Sequence, residues 1–341
     1  MSTGLALALV LAAGCSGSSA TGQRPSGNSK SGAKQDKAAL RLGYFPNLTH
    51  AAALVGLQKG LFEKALGSTG GLDAKSFNSG PDAVTALFSD ALDAAYIGPG
   101  PAINAFSKSR GKAIRILSGS TEGGAFLVVK PTIASASDLK GSKLASPQLG
   151  NTQDIALRTW LKSQKLTTDL QGGGDVSITP QENAQTLEAF RSGQIQGAWV
   201  PEPWASRLVA EAGAVVLVDE RDLWPDKRFP TTILIVRTEF ERSNPAAVEA
   251  LLKAHLEATA YLNSNSAEAQ TLVNKALLQS TGKAIPAKVI TSAWDSLSFT
   301  TDVVPSSFDK LAANATALGL LPKTNLKTIF KLGPLERARQ N

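Results

Sequence analysis

The chain has 341 residues, enough for two domains, with 43% hydrophobic and 18% charged residues, the proportions of a globular protein. Its net charge of +7 sits at the ends: residues 24–37 carry +3 and residues 323–341 carry +4, so the body is formally neutral and lacks the basic face of a nucleic-acid binder. A single cysteine, Cys15, and two distant histidines, His50 and His255, exclude intramolecular disulfides, cysteine zinc sites and paired-histidine metal motifs, so neither a metal nor a cofactor is expected.

Residues 5–13 read L-A-L-A-L-V-L-A-A and lead into Gly14-Cys15-Ser16. The run is too short to span a bilayer and fits the apolar stretch of a signal peptide, assigned to residues 1–14. Small residues before a lone cysteine are similar to the lipobox of bacterial lipoproteins, which makes Cys15 the candidate lipidation site. An ordinary signal peptide with an incidental cysteine is the alternative. Ala12 stands where lipoboxes usually carry leucine, and residues 1–4 contain no Lys or Arg, which suggests a start codon further upstream. Residues 15–37, rich in Ser, Gly and Lys without apolar periodicity, read as a flexible, lipid-anchored linker.

From residue 38 strands and helices alternate. Leu40, Leu42 and Tyr44 form a strand, residues 46–49 break it, and 51–59 read as a helix stopped by Gly60. A strand over 94–98 ends in Pro99-Gly100-Pro101, and a helix follows. Strands are predicted over 114–117, 126–129, 143–146, 176–179, 198–200, 215–218 and 232–236, with helices over 152–165, 181–191 and 202–212. This alternation implies an α/β protein with largely parallel sheets. After Arg237 the pattern is helical: Asn244-Pro245 starts a helix that reaches about residue 263, followed by helices over 267–279, 287–297 and 308–317. The segment S-D-A-L-D-A-A-Y-I-G-P-G-P at 89–101 is echoed by S-G-Q-I-Q-G-A-W-V-P-E-P at 192–203. Either two similar lobes repeat one helix–strand–loop unit, or common α/β units are alike by chance.

The segments R-L-G-Y-F-P-N-L-T-H-A (41–51), S-G-P-D-A-V (79–84), I-G-P-G-P-A (97–102), S-P-Q-L-G-N-T-Q-D (146–154) and W-V-P-E-P-W-A (199–205) resemble, in combination, the nitrate/sulfonate/bicarbonate/taurine-binding proteins of ABC importers. The resemblance covers roughly residues 38–320. It implies a two-lobed type II periplasmic-binding-protein fold with hinge crossover strands and a helical C-terminal region. On that template lobe 1 takes residues 38–125 plus 236–320, lobe 2 with the hinge strands takes 126–235, and 321–341 form a C-terminal tail. Residues 126–129 and 232–236 would be the paired hinge strands. The implied protein is no enzyme. It is an extracytoplasmic, lipid-anchored monomer on the outer face of the cell membrane, and it delivers a small organic anion to a permease with its ATPase.

Ligands of open α/β sheets bind beyond the carboxyl ends of the strands, where helix N-termini offer free N–H groups and partial positive charge. The strand-end segments 46–50, 98–101 and 147–153 hold no Lys or Arg. The expected pocket therefore uses neutral donors and dipoles: Asn47, Thr49, His50, Gly98, Pro99, Gln148, Asn151 and Thr152, with Tyr96, Trp199 and Trp204 as apolar walls. That donor set suits a sulfonate or taurine better than a doubly charged phosphate, which would recruit arginine. Nitrate, bicarbonate, a thiamin pyrimidine precursor and a flavin stay open as cargo. His50 could instead only cap the next helix, Asn151-Thr152 could be a plain N-cap, and either tryptophan could be core. Glu202 either complements a helix dipole or reads a ligand amine. Cysteine-dependent enzymes of similar fold are excluded by the cysteine-free body.

Overall fold

The structure, a computed structural model, describes residues 39–340. Cys15, the apolar run before it and the linker lie outside the described residues. The following account concerns the unit formed by residues 37–341.

In chain order the chain forms β1 (Leu40–Tyr44), α1 (Ala51–Gln58), α2 (Leu61–Leu66), β2 (Leu72–Ser76), α3 (Gly80–Phe88), β3 (Ala94–Ile97), α4 (Pro99–Lys108), β4 (Ile114–Gly123) and β5 (Ala125–Val129). Then come β6 (Lys143–Ser146), α5 (Thr152–Ser163), β7 (Ser177–Pro180), α6 (Asn183–Arg191), β8 (Gly197–Pro201), α7 (Trp204–Ala212), β9 (Val215–Asp219) and β10 (Pro230–Arg237). The C-terminal part holds α8 (Thr238–Ser243), α9 (Pro245–Ser264), α10 (Ser266–Thr281), α11 (Ala287–Trp294), β11 (Leu297–Phe299), α12 (Pro305–Ala317) and α13 (Gly333–Gln340).

Two sheets organise these elements. One has the order β11-β4-β10-β3-β1-β2 and the other β7-β6-β8-β5-β9. Each sheet is covered by its own apolar clusters: Leu42, Leu54, Leu234 and Leu251 in one on the first sheet, Leu127, Leu144, Trp160 and Trp199 in one on the second. This is the two-lobed α/β arrangement. The expectation of largely parallel sheets is corrected. β1 runs parallel to β2 and β3, and β6 to β7 and β8, but β10 is antiparallel to β3 and β4, and β5 to β8 and β9. A strand that enters a sheet from the other lobe runs against the strands laid down by local strand–helix–strand connections.

The hinge expectation is corrected for the same reason. Residues 126–129 and 232–236 do not pair with each other: β5 belongs to the second sheet, while β10 lies wholly in the first, between β3 and β4. The strands that pair at the crossing are β4 and β10. β4 passes into β5 through Gly123 and Gly124, with φ of 75° and 66°, a left-handed turn that other residues resist. The C-terminal segment, over its described residues 321–340, packs on the first lobe. The Ile116 N–H donates to the Ile329 carbonyl and the Ile116 carbonyl accepts from the Lys331 N–H, both at 2.8 Å, and Leu335 and Ala338 of α13 are buried in the first lobe. The helix predicted over 287–297 stops at Trp294, and the chain pairs along β4 as β11.

The internal echo has a structural counterpart. α3–β3 and α6–β8 stand in equivalent places, β3 between β1 and the crossover strand β10, β8 between β6 and the crossover strand β5.

Candidate functional site

The loops at the carboxyl ends of β1, β2, β3, β6 and β7 converge on a niche of about 30 Å³ between the sheets. Its walls include Phe45, Asn47, Thr49, His50, Ser79, Gly98, Asn151, Thr152, Asn183 and Thr231, with no Lys, Arg, Asp or Glu among the lining residues. Four helices begin on these walls: α3 at Gly80, α4 after its N-cap Gly98, α5 at Thr152 and α6 at Asn183. Each helix has at least two turns, so each contributes a field worth about 0.3–1 kcal/mol to an anion between them. Their donors differ. Pro99 and Pro101 carry no N–H, and the Gly100 N–H already donates to Thr152 Oγ1 at 3.1 Å, so α4 offers its dipole alone.

His50 is 2% exposed and its ring lies 4.4 Å from that of Phe45. The Phe45 N–H donates to Nδ1 at 3.3 Å, which assigns the proton to Nε2 and leaves a neutral donor on the niche wall. Burial pushes its pKa down to about 3. Asn151 uses its side-chain oxygen to cap α5, accepting from the Gln153 N–H at 2.8 Å. Its N-cap role and its place on the niche wall hold together.

The two sheets' loops also bond directly. Trp204 Nε1 donates to Asn47 Oδ1 at 2.9 Å, Asn78 Nδ2 donates to Glu182 Oε1 at 2.9 Å, and Ser79 Oγ donates to Gln148 Oε1. Gly98 has to be small here: a Cβ would come 2.6 Å from Thr152 Oγ1. Beyond the niche lies a second cavity of about 270 Å³, which shares Phe45, Asn47, Asn78 and Asn183 and adds Leu187, Trp204, Leu277 and Ile285.

Of the residues singled out in the sequence, Asn47, Thr49, His50, Gly98, Asn151 and Thr152 line the niche, and Trp204 lines the larger cavity. Gln148 reaches across to Ser79 beside it. Pro99 is buried in the first turn of α4, and Pro101 takes its place on the wall. Trp199 is corrected to core: it is fully buried and its Nε1 donates to Glu220 Oε2 at 2.7 Å. Tyr96 is likewise core, bonded through its hydroxyl to His255 Nδ1 at 3.0 Å. Glu202 also stands away from the niche, where it accepts from the Ser206 N–H at 3.1 Å and the Ser206 hydroxyl at 2.9 Å. It braces the start of α7. The residues missed were Ser79, Asn183 and Thr231. Asn183 follows the strand-end run T-P-Q-E, the same kind of junction that drew attention at 97–102.

Four buried groups set an acid–base pattern. Burial pushes His50 to about 3 and His255 to about 4, and pushes Glu202 and Glu220 up to about 7. The unfolded chain binds the extra protons on the histidines, so their contribution is lost as pH falls below about 6.5. The folded chain binds the extra protons on the glutamates, so theirs is lost as pH rises from about 4.5 through about 7. The two pairs oppose each other between about pH 4.5 and 6.5. Removing a glutamate tips that balance: the melting temperature of Glu220→Gln is expected to rise more steeply with pH than that of the wild type across this window. Parallel melting curves would contradict the assignment.

The alkanesulfonate-binding protein SsuA of Xanthomonas axonopodis pv. citri, solved with bound MOPS, superposes with a TM-score of 0.71 at 19% identity, over 87% of this chain and 99% of that one. The periplasmic nitrate-binding protein NrtA of Synechocystis PCC 6803 superposes with a TM-score of 0.76 at 17% identity, over 90% and 89%. These likenesses establish the fold. In sequence, a Brucella abortus (strain 2308) protein named as a binding protein is 30% identical over 246 residues, 71% of this chain and 72% of the relative. The taurine-binding periplasmic protein of Escherichia coli (strain K12) is 28% identical over 197 residues, 58% of each. The NMT1-like family matches residues 33–277, most of the strand-and-helix body described above, and this chain belongs to that family.

Proposed function

We propose that the chain is the solute-binding component of an ABC importer and that it captures a small organic anion, an aliphatic sulfonate or taurine foremost. It is a binding protein and not an enzyme, in keeping with the family and with the relatives and neighbours named above. The observation that carries the cargo reading is a charge-free niche ringed by four helix N-termini and opening on a larger, partly apolar cavity. A weakly basic monoanionic head fits the first and an organic tail the second. Nitrate or bicarbonate would fill the niche and leave the larger cavity unused. Asn47, Thr49, His50, Asn151 and Thr152 are the proposed head-group residues, with Trp204 beside the tail. The lobes built on the two sheets would part to admit ligand and meet again around it, and the closed form would be handed to the permease and its ATPase.

A thermal-shift screen tests the cargo, because a ligand stabilises by RT ln(1 + [L]/Kd). Alkanesulfonates and taurine are expected to raise the melting temperature more than nitrate, bicarbonate, pyrimidines or flavins. A larger shift with any of the latter reassigns the cargo. Location is part of the proposal: Cys15 would carry a lipid that holds the protein at the outer face of the membrane. Cys15→Ser is expected to move the protein into the soluble fraction or to block processing; unchanged membrane retention would refute the anchor.

A further inference from the structure

Building on the sulfonate reading, we propose that Asn183 selects ligands in which the anionic head is accompanied by a hydrogen-bond donor, an N–H or an O–H. Asn183 is the first residue of α6 and stands on the wall shared by the niche and the larger cavity. It is 8% exposed, and its Oδ1 is enclosed without a hydrogen-bond partner. Neighbouring amides differ. Asn47 Oδ1 accepts from Trp204, Asn151 Oδ1 from the Gln153 N–H, and Gln148 Oε1 from Ser79. Those oxygens are spent on holding the walls, and Asn183 keeps an acceptor in reserve. A buried acceptor left unpaired costs free energy, and a site containing one discriminates against ligands that cannot satisfy it.

A bare alkanesulfonate or nitrate brings only acceptors and leaves the Asn183 oxygen unpaired. A ligand with an ammonium or hydroxyl group beside its anion satisfies it. Glu182 and Glu188 line the larger cavity together with Arg207 and Lys283, so its charges balance and the donor that meets Asn183 is left to be set by geometry.

Calorimetric titration with taurine, isethionate and ethanesulfonate separates these cases, since the three share the head group and differ in the donor. The wild type is expected to bind a donor-bearing ligand at least about tenfold more tightly than ethanesulfonate. Asn183→Leu is expected to weaken the donor-bearing ligands about ten- to a hundredfold and to change ethanesulfonate by no more than about threefold. Asn183→Asp keeps the acceptor and adds charge, so it should weaken ethanesulfonate and isethionate and spare taurine, whose ammonium the carboxylate would pair. Taurine above isethionate assigns the ammonium, and the reverse order assigns the hydroxyl. Equal affinities in the wild type, or equal losses in Asn183→Leu, would overturn this inference and leave the sulfonate reading standing. No binding of any of the three would overturn both.

Discussion

Arg158→Ala is expected to lower the unfolding free energy by about 3–5 kcal/mol. Arg158 is 1% exposed and Asp154 0%, and the guanidinium Nε sits 3.0 Å from Asp154 Oδ2, one turn apart on α5. Removing the arginine leaves a buried carboxylate with no cation. That carboxylate also accepts from Ser146 Oγ at 2.8 Å and from the Gly150 N–H at 2.9 Å, so it clamps both ends of the loop that carries Gln148 to the niche. Thermal unfolding should show a melting temperature lower by on the order of 10 °C, with ligand affinity falling as the loop loosens. The pair is not perfectly satisfied, since Arg158 Nη2 has no partner. Replacing both residues together, Asp154→Asn with Arg158→Met, removes the uncompensated charge while keeping an acceptor for the loop, and should recover part of the stability lost in the single variant. A double variant as unstable as Arg158→Ala would show that the ion pair is not the cause.

Gly98→Val acts on closure instead of folding. Gly98 has an extended backbone, φ −69° and ψ 151°, which valine tolerates, but its Cβ would stand 2.6 Å from Thr152 Oγ1 across the cleft. The bulkier side chain holds the starts of α4 and α5 apart. The Gly100–Thr152 bond and the neighbouring contacts between Ser79 and Gln148 and between Trp204 and Asn47 are then lost or stretched. At about 1 kcal/mol for each of two or three bonds, affinity should fall about a hundredfold. The melting temperature without ligand should hardly change, because the clash lies between the lobes and not within either core. The ligand-induced fall in radius of gyration should vanish in small-angle scattering. Wild-type affinity in Gly98→Val would refute closure at this contact.

Local sequence made the strand-end junctions legible. Asn151 before a helix, Pro99 at the first turn of α4 and the alternation of Leu40, Leu42 and Tyr44 each encode their element within a few residues. Pairings between distant strands were not legible. β4 and β10 lie more than a hundred residues apart, and no local pattern tells whether a strand joins neighbours made by the same lobe or arrives from the other. β2 was missed because it is an edge strand whose Leu72–Ser76 residues are half-buried or exposed, so it lacks the apolar alternation of a core strand. α13 was missed because only Pro334, Leu335 and Ala338 face inward from it. At the site, the neutral donors of the β1 and β6 loops were readable from the absence of lysine and arginine. Trp199 was misread because an aromatic residue near a strand end serves a core as well as a pocket, and only the fold shows its indole bonded to Glu220. Glu202 was singled out as a charge near an anion; the local hydrogen bonds to Ser206 explain its position without a ligand.

The proposed site holds the anionic head with neutral donors and helix dipoles, with no cationic side chain on the niche wall. Titration calorimetry of a sulfonate from about pH 5 to pH 8 tests it most directly, because an ordinary histidine would change charge in that range. With the His50 pKa held near 3 by burial, affinity should stay constant to within about twofold over the whole interval. Affinity that rises about tenfold as the pH falls through 6.5 would mean instead that His50 binds the anion as a cation and that the niche is not a neutral-donor site.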